Sequence, residues 1–264
     1  MTETTARAVD KPTWVDKPVW LDLSSSDPAA SGAFYAKLFG WQVEVNPDPQ
    51  YGGYALAKIG GKDVAGIGPK MMAEAPTAWS IYIGTTDADG LAKKVAAAGG
   101  TVIAEPMQVG DQGKMAVFQD PSGAFISAWQ PLAMGGMTTG GPGTFGWPEL
   151  NSRGIARAVA FYGAAFGWTT REVTFAEGRP PYTEFWLGDE RIAGGMEMSP
   201  MVPPQMPSYW LAYFTVDDVD ESFRKAIAAG AKEMVSPVDF PSGRFAILGD
   251  PQGAVFGVLK RAQR

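Results

Sequence analysis

The chain has 264 residues, which is long enough for about two domains with buried cores. It is 45% hydrophobic and 19% charged, as ordinary globular proteins are, and its formal charge of −6 argues against a nucleic-acid partner. It contains no cysteine and no histidine, which excludes disulfides, Ser-His triads and metal sites built on those two side chains.

Residues 1–13 are polar and are predicted to form an N-terminal tail. They contain no apolar stretch that could act as the core of a signal peptide. No run in the sequence approaches the roughly 18 apolar residues that a membrane span requires. We therefore expect a cytoplasmic protein with no membrane association.

The first predicted strand, residues 19–24, has two different faces because side chains alternate along a strand. One face is aliphatic. The other face is aromatic and polar, and it carries Trp20, Asp22 and Ser24.

A helix is predicted next, with Asp27 as its N-cap, Pro28 in its first turn and Gly40 at its end. Its apolar stripe is expected to pack on the aliphatic face of the first strand. The remaining elements of the first half are strands at 41–45, 54–59, 64–67 and 79–83, a helix at about 87–98, and a hairpin at 114–129.

The sequence then repeats itself. The segment 34–41 (FYAKLFGW) returns as 161–168 (FYGAAFGW), an offset of 127 (161 − 34), and Asp-Pro-Ser-Gly at 120–123 returns as Asp-Pro-Gln-Gly at 250–253, an offset of 130 (250 − 120). The spacing predicts a tandem duplication. The two modules are placed at 14–130 and 144–264, with a Gly/Pro-rich linker at 131–143.

The second module is predicted to repeat the elements of the first. Its first helix lacks the Asp-Pro start, so that Ser152 is the candidate N-cap. The predicted elements are a strand at 146–151, a helix at about 155–166, strands through 196, a strand at 209–215, a helix at 218–229 and a hairpin at 244–259.

This element order, with FGW after the first helix and Asp-Pro-x-Gly before the last strand, resembles the vicinal oxygen chelate family. That family includes glyoxalase I, extradiol dioxygenases and bleomycin-type resistance proteins. The resemblance covers about Trp14 to Lys260, and the chain looks most like two-module actinobacterial proteins labelled glyoxalase-like or hydroxylase. It implies an α+β fold in which tandem duplicated βαβββ modules pair into a curved sheet around a central, ligand-holding cavity.

Where proteins of this family hold a metal ion, the resemblance implies that its ligands come from the first and last strand of each module. Carried over by motif, these positions are Trp20, Trp147, Ser127 and Gly257. None is a normal ligand of a divalent ion, so we expect neither a metal nor another cofactor. A site made of carboxylates alone would require Asp22 and Glu149 to converge.

If the family architecture holds, the polar faces of the first and last strands line the cavity between the modules. The result would be an aromatic-walled pocket with one carboxylate from each half, typical of a small-molecule site. The candidate residues are Trp20, Asp22, Ser24, Phe125, Ser127 and Trp129 in the first module, and Trp147, Glu149, Asn151 and Gly257 in the second.

Three functions are compatible with such a pocket. The leading hypothesis is metal-independent binding of a hydrophobic or aromatic natural product or drug, as in resistance or sequestration, by a monomer or homodimer. The alternative is a metal-free isomerase, lyase, cyclase or hydroxylase that uses Asp22 or Glu149 as acid or base, because desolvation raises a carboxyl pKa. The third is a partner-binding protein with a vestigial pocket. In a purely structural role the two acids would bond backbone groups or pair with Lys114 or Arg244.

Overall fold

The computed structural model describes residues 12–175 and 180–262, and each half of the chain forms one eight-stranded mixed sheet. The first sheet has the strand order β2-β3-β4-β1-β5-β8-β7-β6. Its elements are β1 (Pro18–Ser25), α1 (Pro28–Phe39), β2 (Gln42–Val45), β3 (Ala55–Ile59), β4 (Lys62–Pro69), β5 (Ala78–Gly84), α2 (Ala88–Ala97), β6 (Thr101–Val109), β7 (Gly113–Gln119) and β8 (Phe125–Pro131).

The second sheet repeats this arrangement in the order β10-β11-β12-β9-β13-β16-β15-β14. Among the described residues, no helix is long and apolar enough to cross a membrane. The elements are β9 (Phe145–Ser152), α3 (Ile155–Phe166), β10 (Thr169–Val173), β11 (Tyr182–Leu187), β12 (Glu190–Glu197), β13 (Tyr209–Thr215), α4 (Val219–Ala228), β14 (Lys232–Phe240), β15 (Gly243–Gly249) and β16 (Val255–Arg261).

The α+β fold of tandem duplicated βαβββ units is confirmed. Each half contains two such units, which pair within that half to make its curved sheet. In the first half the antiparallel pair β1–β5 joins them, and in the second half the pair β9–β13 does so. The pairing of βαβββ units that was expected between the halves therefore occurs inside each half.

The two sheets pack against each other through the faces that carry the helices. One apolar core contains Leu21 and Leu150 from the two first strands, together with residues of all four helices. The ring centroid of Phe39 lies 4.9 Å from that of Phe214 in the other half. Trp20 and Leu211 belong to two smaller apolar clusters on the opposite faces. We call these helix-free faces the first and second outer faces.

The edge strands β6 and β14 were not predicted from the sequence. Each is interrupted by a register shift at a proline, at Pro106 between Ala104 and Met107 and at Pro237 between Val235 and Val238. Proline cannot donate to the ladder and is tolerated at edges and bulges. These prolines interrupt the alternation that would have predicted the two strands from the sequence. They also limit pairing of the edge strands with another chain.

The first helix of each half is capped differently. In α1 the Asp27 carboxylate accepts from the Ala30 amide at 3.0 Å, as predicted. The prediction of Ser152 as the N-cap of α3 is wrong, because Gly154 occupies that position and makes no side-chain cap. Glu197 on β12 replaces it by accepting from the backbone amides of Gly154 at 2.9 Å and Ile155 at 2.7 Å. A carboxylate at a helix N-terminus is favourable for both hydrogen bonding and the helix dipole.

The recurring motifs meet across the boundary between the halves. Tyr35 of α1 donates its hydroxyl to Asp250 at 3.0 Å, and Tyr162 of α3 donates to Asp120 at 3.0 Å. In the second of these contacts, the indole N–H of Trp210 also reaches the Tyr162 oxygen at 2.7 Å. The Phe-Tyr and Asp-Pro-x-Gly landmarks therefore recur because they hold the two halves together.

We expect Tyr162→Phe to lower the free energy of unfolding by about 2 kcal/mol, because buried Asp120 and Trp210 each lose a partner while the ring packing remains. Urea unfolding measures this. The matched control is Tyr51→Phe, which removes an exposed hydroxyl that bonds Asp111 at 3.2 Å and should change stability by less than about 0.5 kcal/mol. Equal effects of the two substitutions would contradict the assignment.

Candidate functional site

A carboxylate on the first outer face is surrounded by hydrogen-bond donors. Asp22 Oδ1 accepts from the indole of Trp20 at 2.9 Å and from the hydroxyl of Tyr54, which precedes β3. Trp20 Nε1 also lies 3.0 Å from the Tyr54 oxygen, and Tyr82 on β5 is a further hydrogen-bond partner of Asp22. We call Trp20, Asp22, Tyr54 and Tyr82 the first acid cluster.

The second outer face repeats the same constellation. Glu149 accepts from the hydroxyl of Tyr182 at 2.9 Å on one oxygen and from that of Tyr213 at 3.1 Å on the other. The indole N–H of Trp147 lies 2.9 Å from the Tyr182 oxygen. These four residues are the second acid cluster. They stand at offsets of 127 to 131 from those of the first cluster (147 − 20, 149 − 22, 182 − 54, 213 − 82).

The two acids do not share a cavity, which corrects the expectation of one site between the halves. Asp22 bonds side chains of the first sheet and Glu149 bonds side chains of the second. The aliphatic faces of the two sheets pack against each other between the halves. The faces that carry Asp22 and Glu149 therefore point away from this contact, in opposite directions. For the same reason Asp22 and Glu149 cannot form a shared carboxylate metal site.

Burial is the main influence on both acids. It raises the pKa of Asp22, which the hydrogen bonds from Tyr54, Trp20 and Tyr82 partly lower again. Burial likewise raises the pKa of Glu149 against the opposing effect of Tyr182 and Tyr213. Each carboxyl can therefore hold a proton at a milder pH than usual, which suits proton transfer or hydrogen bonding to a ligand.

The tyrosines complement the acids. Burial, reinforced by the neighbouring carboxylate, raises the pKa of Tyr182 and Tyr213 well above the ordinary phenol value. They remain protonated donors. The ion pairs considered for a structural role do not form, because Lys114 pairs with Asp89 at 2.6 Å and Arg244 pairs with Asp220 at 2.8 Å.

The first acid cluster is covered at its tryptophan end. Trp20 is only 1% exposed, and Trp129, also buried, donates its indole N–H to the carbonyl of Met134 at 3.3 Å. Met137 in the same connecting segment bonds the Val19 carbonyl through its amide at 2.8 Å, and both methionines pack on this cluster. The chain that connects the halves therefore fills this end of the first outer face.

The second outer face leaves its tryptophan partly exposed. The guanidinium carbon of Arg261 lies 4.6 Å from the Trp147 ring centroid, and that of Arg191 lies 5.2 Å from it. Both arginines line a cavity of about 470 Å³ together with Glu184, Trp186, Asp189 and Glu190. The side chains that are partly buried on the same face are Trp147, Tyr209, Phe240, Phe245, Ile247 and Val255.

The remaining predicted residues fall on the expected strands. Ser127 is buried and is a hydrogen-bond partner of Tyr82, whereas Ser24 is half-buried at the far end of β1 and Phe125 is 54% exposed. Asn151 contributes to the lowering of the Glu149 pKa. Gly257 lies against Tyr213, since a Cβ at this position would be 2.1 Å from the ring.

Sequence reasoning missed four tyrosines, which are Tyr54, Tyr82, Tyr182 and Tyr213. The available signal was that tyrosine occupies both copies of each position, at offsets of 128 (182 − 54) and 131 (213 − 82). Strand parity alone gave no reason to select them, because none of them lies on the strand of an acid.

The residues on the outer faces do not match the needs of a divalent metal. Such an ion requires several carboxylate, carbonyl, imidazole or thiolate ligands. Each acid cluster offers one carboxylate, and that carboxylate already accepts from protonated phenols. Within residues 12–175 and 180–262, no group of three or more His, Cys, Asp or Glu side chains is placed to hold an ion.

The sequence matches the pattern of the Glyoxalase/Bleomycin resistance protein/Dioxygenase superfamily over residues 17–127 and 144–258. It is 40% identical over 257 residues to the putative glyoxylase CFP32 of Mycobacterium tuberculosis, covering 95% of each chain. It is 39% identical over 254 residues to the anthracycline biosynthesis protein DnrV of Streptomyces peucetius, covering 90% of this chain and 91% of that protein.

Two solved structures share the fold. The Mn(II)-bound glyoxalase from Novosphingobium aromaticivorans superposes with a TM-score of 0.65 at 19% identity, covering 93% of this chain and 82% of that one. The 2,3-dioxygenase LapB from Pseudomonas sp. KL28 gives a TM-score of 0.60 at 15% identity, covering 96% and 95%.

Proposed function

The chain belongs to the Glyoxalase/Bleomycin resistance protein/Dioxygenase superfamily, and on that premise we propose that it binds an aromatic small molecule on its second outer face without a metal ion. The observation that carries the proposal is the second acid cluster. Its partly exposed Trp147 packs on the same apolar cluster as Tyr209 and Phe245, and lies 5.2 Å from the guanidinium carbon of Arg191, which lines the cavity. Rings of this kind supply apolar contact area, and Glu149 with its tyrosines supplies orienting polar groups.

Sequestration of a natural product or drug is the simplest form of this function. A relative that is named as an anthracycline biosynthesis protein supports an aromatic natural product as the ligand. We place the ligand on the second half because Trp20, the equivalent tryptophan of the first half, is buried.

Acid–base catalysis by Glu149 is the second candidate function. It is favoured by the raised pKa of this carboxyl and by the two phenol donors that hold it in place. In this form the protein would move a proton to or from an aromatic substrate without a metal ion. The same residues would bind the substrate in both forms, so the two are separated by the fate of the ligand.

The test is a titration with an anthracycline aglycone, followed by tryptophan fluorescence and by recovery of the ligand. We expect saturable binding that survives treatment with EDTA and weakens about tenfold in Trp147→Leu, because the stacking surface is lost. Phe125→Leu on the first outer face is the matched control and should leave the affinity unchanged.

A recovered ligand that is unchanged supports sequestration, and a converted one supports catalysis. Loss of binding after EDTA would contradict metal independence. The absence of saturable binding would overturn the proposal and favour a partner-binding protein with a vestigial pocket.

A further inference from the structure

The two outer faces share their acid clusters but differ beside the tryptophan. Arg191 and Arg261 lie within 5.2 Å of the Trp147 ring centroid in the second half. The equivalent positions of the first half, at offsets of 128 (191 − 63) and 130 (261 − 131), are Asp63 and Pro131. The two arginines are therefore a specific feature of the second half.

We propose that Arg191 and Arg261 form an anion subsite that recognises an acidic substituent, such as a carboxylate, on the aromatic ligand of the second outer face. The inference rests on the proposed function and adds the charge of the ligand to it. Guanidinium groups bind planar oxyanions through two parallel N–H donors and also stack on aromatic rings. Both arginines adjoin Trp147 and line the cavity of about 470 Å³.

Two of the three acidic residues of this cavity are engaged by cations, and the third is Asp189. Arg191 pairs with Glu184, and this bond uses one of the five N–H donors that a guanidinium carries. Glu184 also accepts from the indole of Trp186 at 3.2 Å, while Glu190 pairs with Lys17. The local charges are thus largely compensated, and the N–H groups that remain on Arg191 can serve a ligand.

Trp147 connects the arginines to the second acid cluster. Its ring faces the two guanidinium groups, and its indole N–H lies 2.9 Å from the oxygen of Tyr182, which donates to Glu149. A ligand stacked on Trp147 would place its acidic substituent at the arginines and its opposite end toward Glu149. This arrangement fixes the direction in which an aromatic acid binds.

The test compares two fluorescent probes of similar shape, the anionic anilinonaphthalene sulfonate and the neutral N-phenylnaphthylamine, on the full chain. We expect Arg261→Gln and Arg191→Gln each to weaken binding of the sulfonate about tenfold, as loss of a charge-assisted hydrogen bond does. Binding of the neutral probe should change by less than about twofold. Because Arg191→Gln leaves Glu184 without its cation, Arg191→Lys is made in parallel and should restore part of the sulfonate affinity.

Arg244→Gln is the matched control. It removes the same charge from the second half, but Arg244 pairs with Asp220 and Asp239 and does not contact Trp147. An equal loss of sulfonate affinity in this variant, or equal losses for the two probes, would overturn the anion subsite. Saturable binding of the neutral probe that Trp147→Leu abolishes would in that case leave the proposed function intact. If neither probe binds saturably, both proposals fail.

Discussion

Replacing Glu149 by glutamine is expected to preserve or raise stability at neutral pH and to impair function. Burial raises the pKa of this carboxyl, so that its charged form is unfavourable in the folded protein. Glutamine has nearly the same shape and is neutral. Its amide oxygen can accept from one of the two tyrosines, and its NH2 group, in the place of the other carboxylate oxygen, can donate to the hydroxyl oxygen of the second. Proton transfer by Glu149 is lost, and for a general acid or base this lowers turnover by roughly 10²–10⁴-fold.

The raised pKa of Glu149 determines how the stability difference between Glu149→Gln and the wild type changes with pH. A carboxyl whose folded pKa is raised binds its proton more tightly when folded, so its contribution to stability is fully present below the unfolded value of 4.5. That contribution is lost as the pH rises through the raised folded pKa. The free energy of unfolding of Glu149→Gln should therefore increase relative to the wild type as the pH rises from about 4 to about 8, by about 1.4 kcal/mol for each unit of elevation.

Urea unfolding across this pH range measures the effect, with Asp22→Asn as the matched variant of the first half. Asp22 also has a raised pKa through burial, so its stability should change in the same direction. Its outer face is covered, so ligand binding should persist. A Glu149→Gln protein that is less stable than the wild type at neutral pH, or fully active, would contradict the argument.

The sequence was sufficient for the fold class because its evidence is local and repeated. The alternation in residues 19–24 and the return of FGW and Asp-Pro-x-Gly each follow from short segments. The alternation shows which side chains share a face of the sheet. It does not show which of the two faces is buried between the halves. The aliphatic faces carrying Leu21 and Leu150 had more apolar area to bury, and their union separated Asp22 from Glu149.

The part of the site that lies on a single strand was predicted from the sequence. Trp147 and Glu149 lie two residues apart on one strand, so alternation places them together. Tyr182 comes from β11 and reaches Glu149 over Gly194 of the intervening β12, a contact that depends on register and on the missing side chain of a glycine. Cross-strand register cannot be read from a single strand, and this is why the tyrosines were missed.

Gly194→Ala is expected to disable the second acid cluster without straining the backbone. Gly194 is the register partner of Glu149, and a Cβ on it would lie 1.8 Å from the Tyr182 oxygen and 2.4 Å from the ring carbon that bears it. Its φ lies outside the left-handed region, so alanine itself fits the strand. Tyr182 must move, and its contacts with Glu149 and Trp147 are lost together.

Each lost hydrogen bond is worth about 1 kcal/mol, so we expect ligand affinity or turnover to fall roughly 10- to 100-fold. Overpacking should lower the free energy of unfolding by about 1–3 kcal/mol. Tyr182→Phe removes the same hydrogen bonds without adding volume, so it should reproduce the functional loss and lower the free energy of unfolding only by the part that those hydrogen bonds contribute.

Gly66→Ala is the matched control, since the same clash with Tyr54, at 1.8 Å, and with Asp22, at 2.1 Å, arises in the first half. Because the two glycines are equivalent, their substitutions should cost similar stability and differ only in function. Equal loss of binding in both variants would show that the outer faces contribute alike. Unchanged binding in Gly194→Ala would remove Tyr182 and Glu149 from the site, because no ligand could meet their present arrangement once the Cβ occupies the position of the hydroxyl.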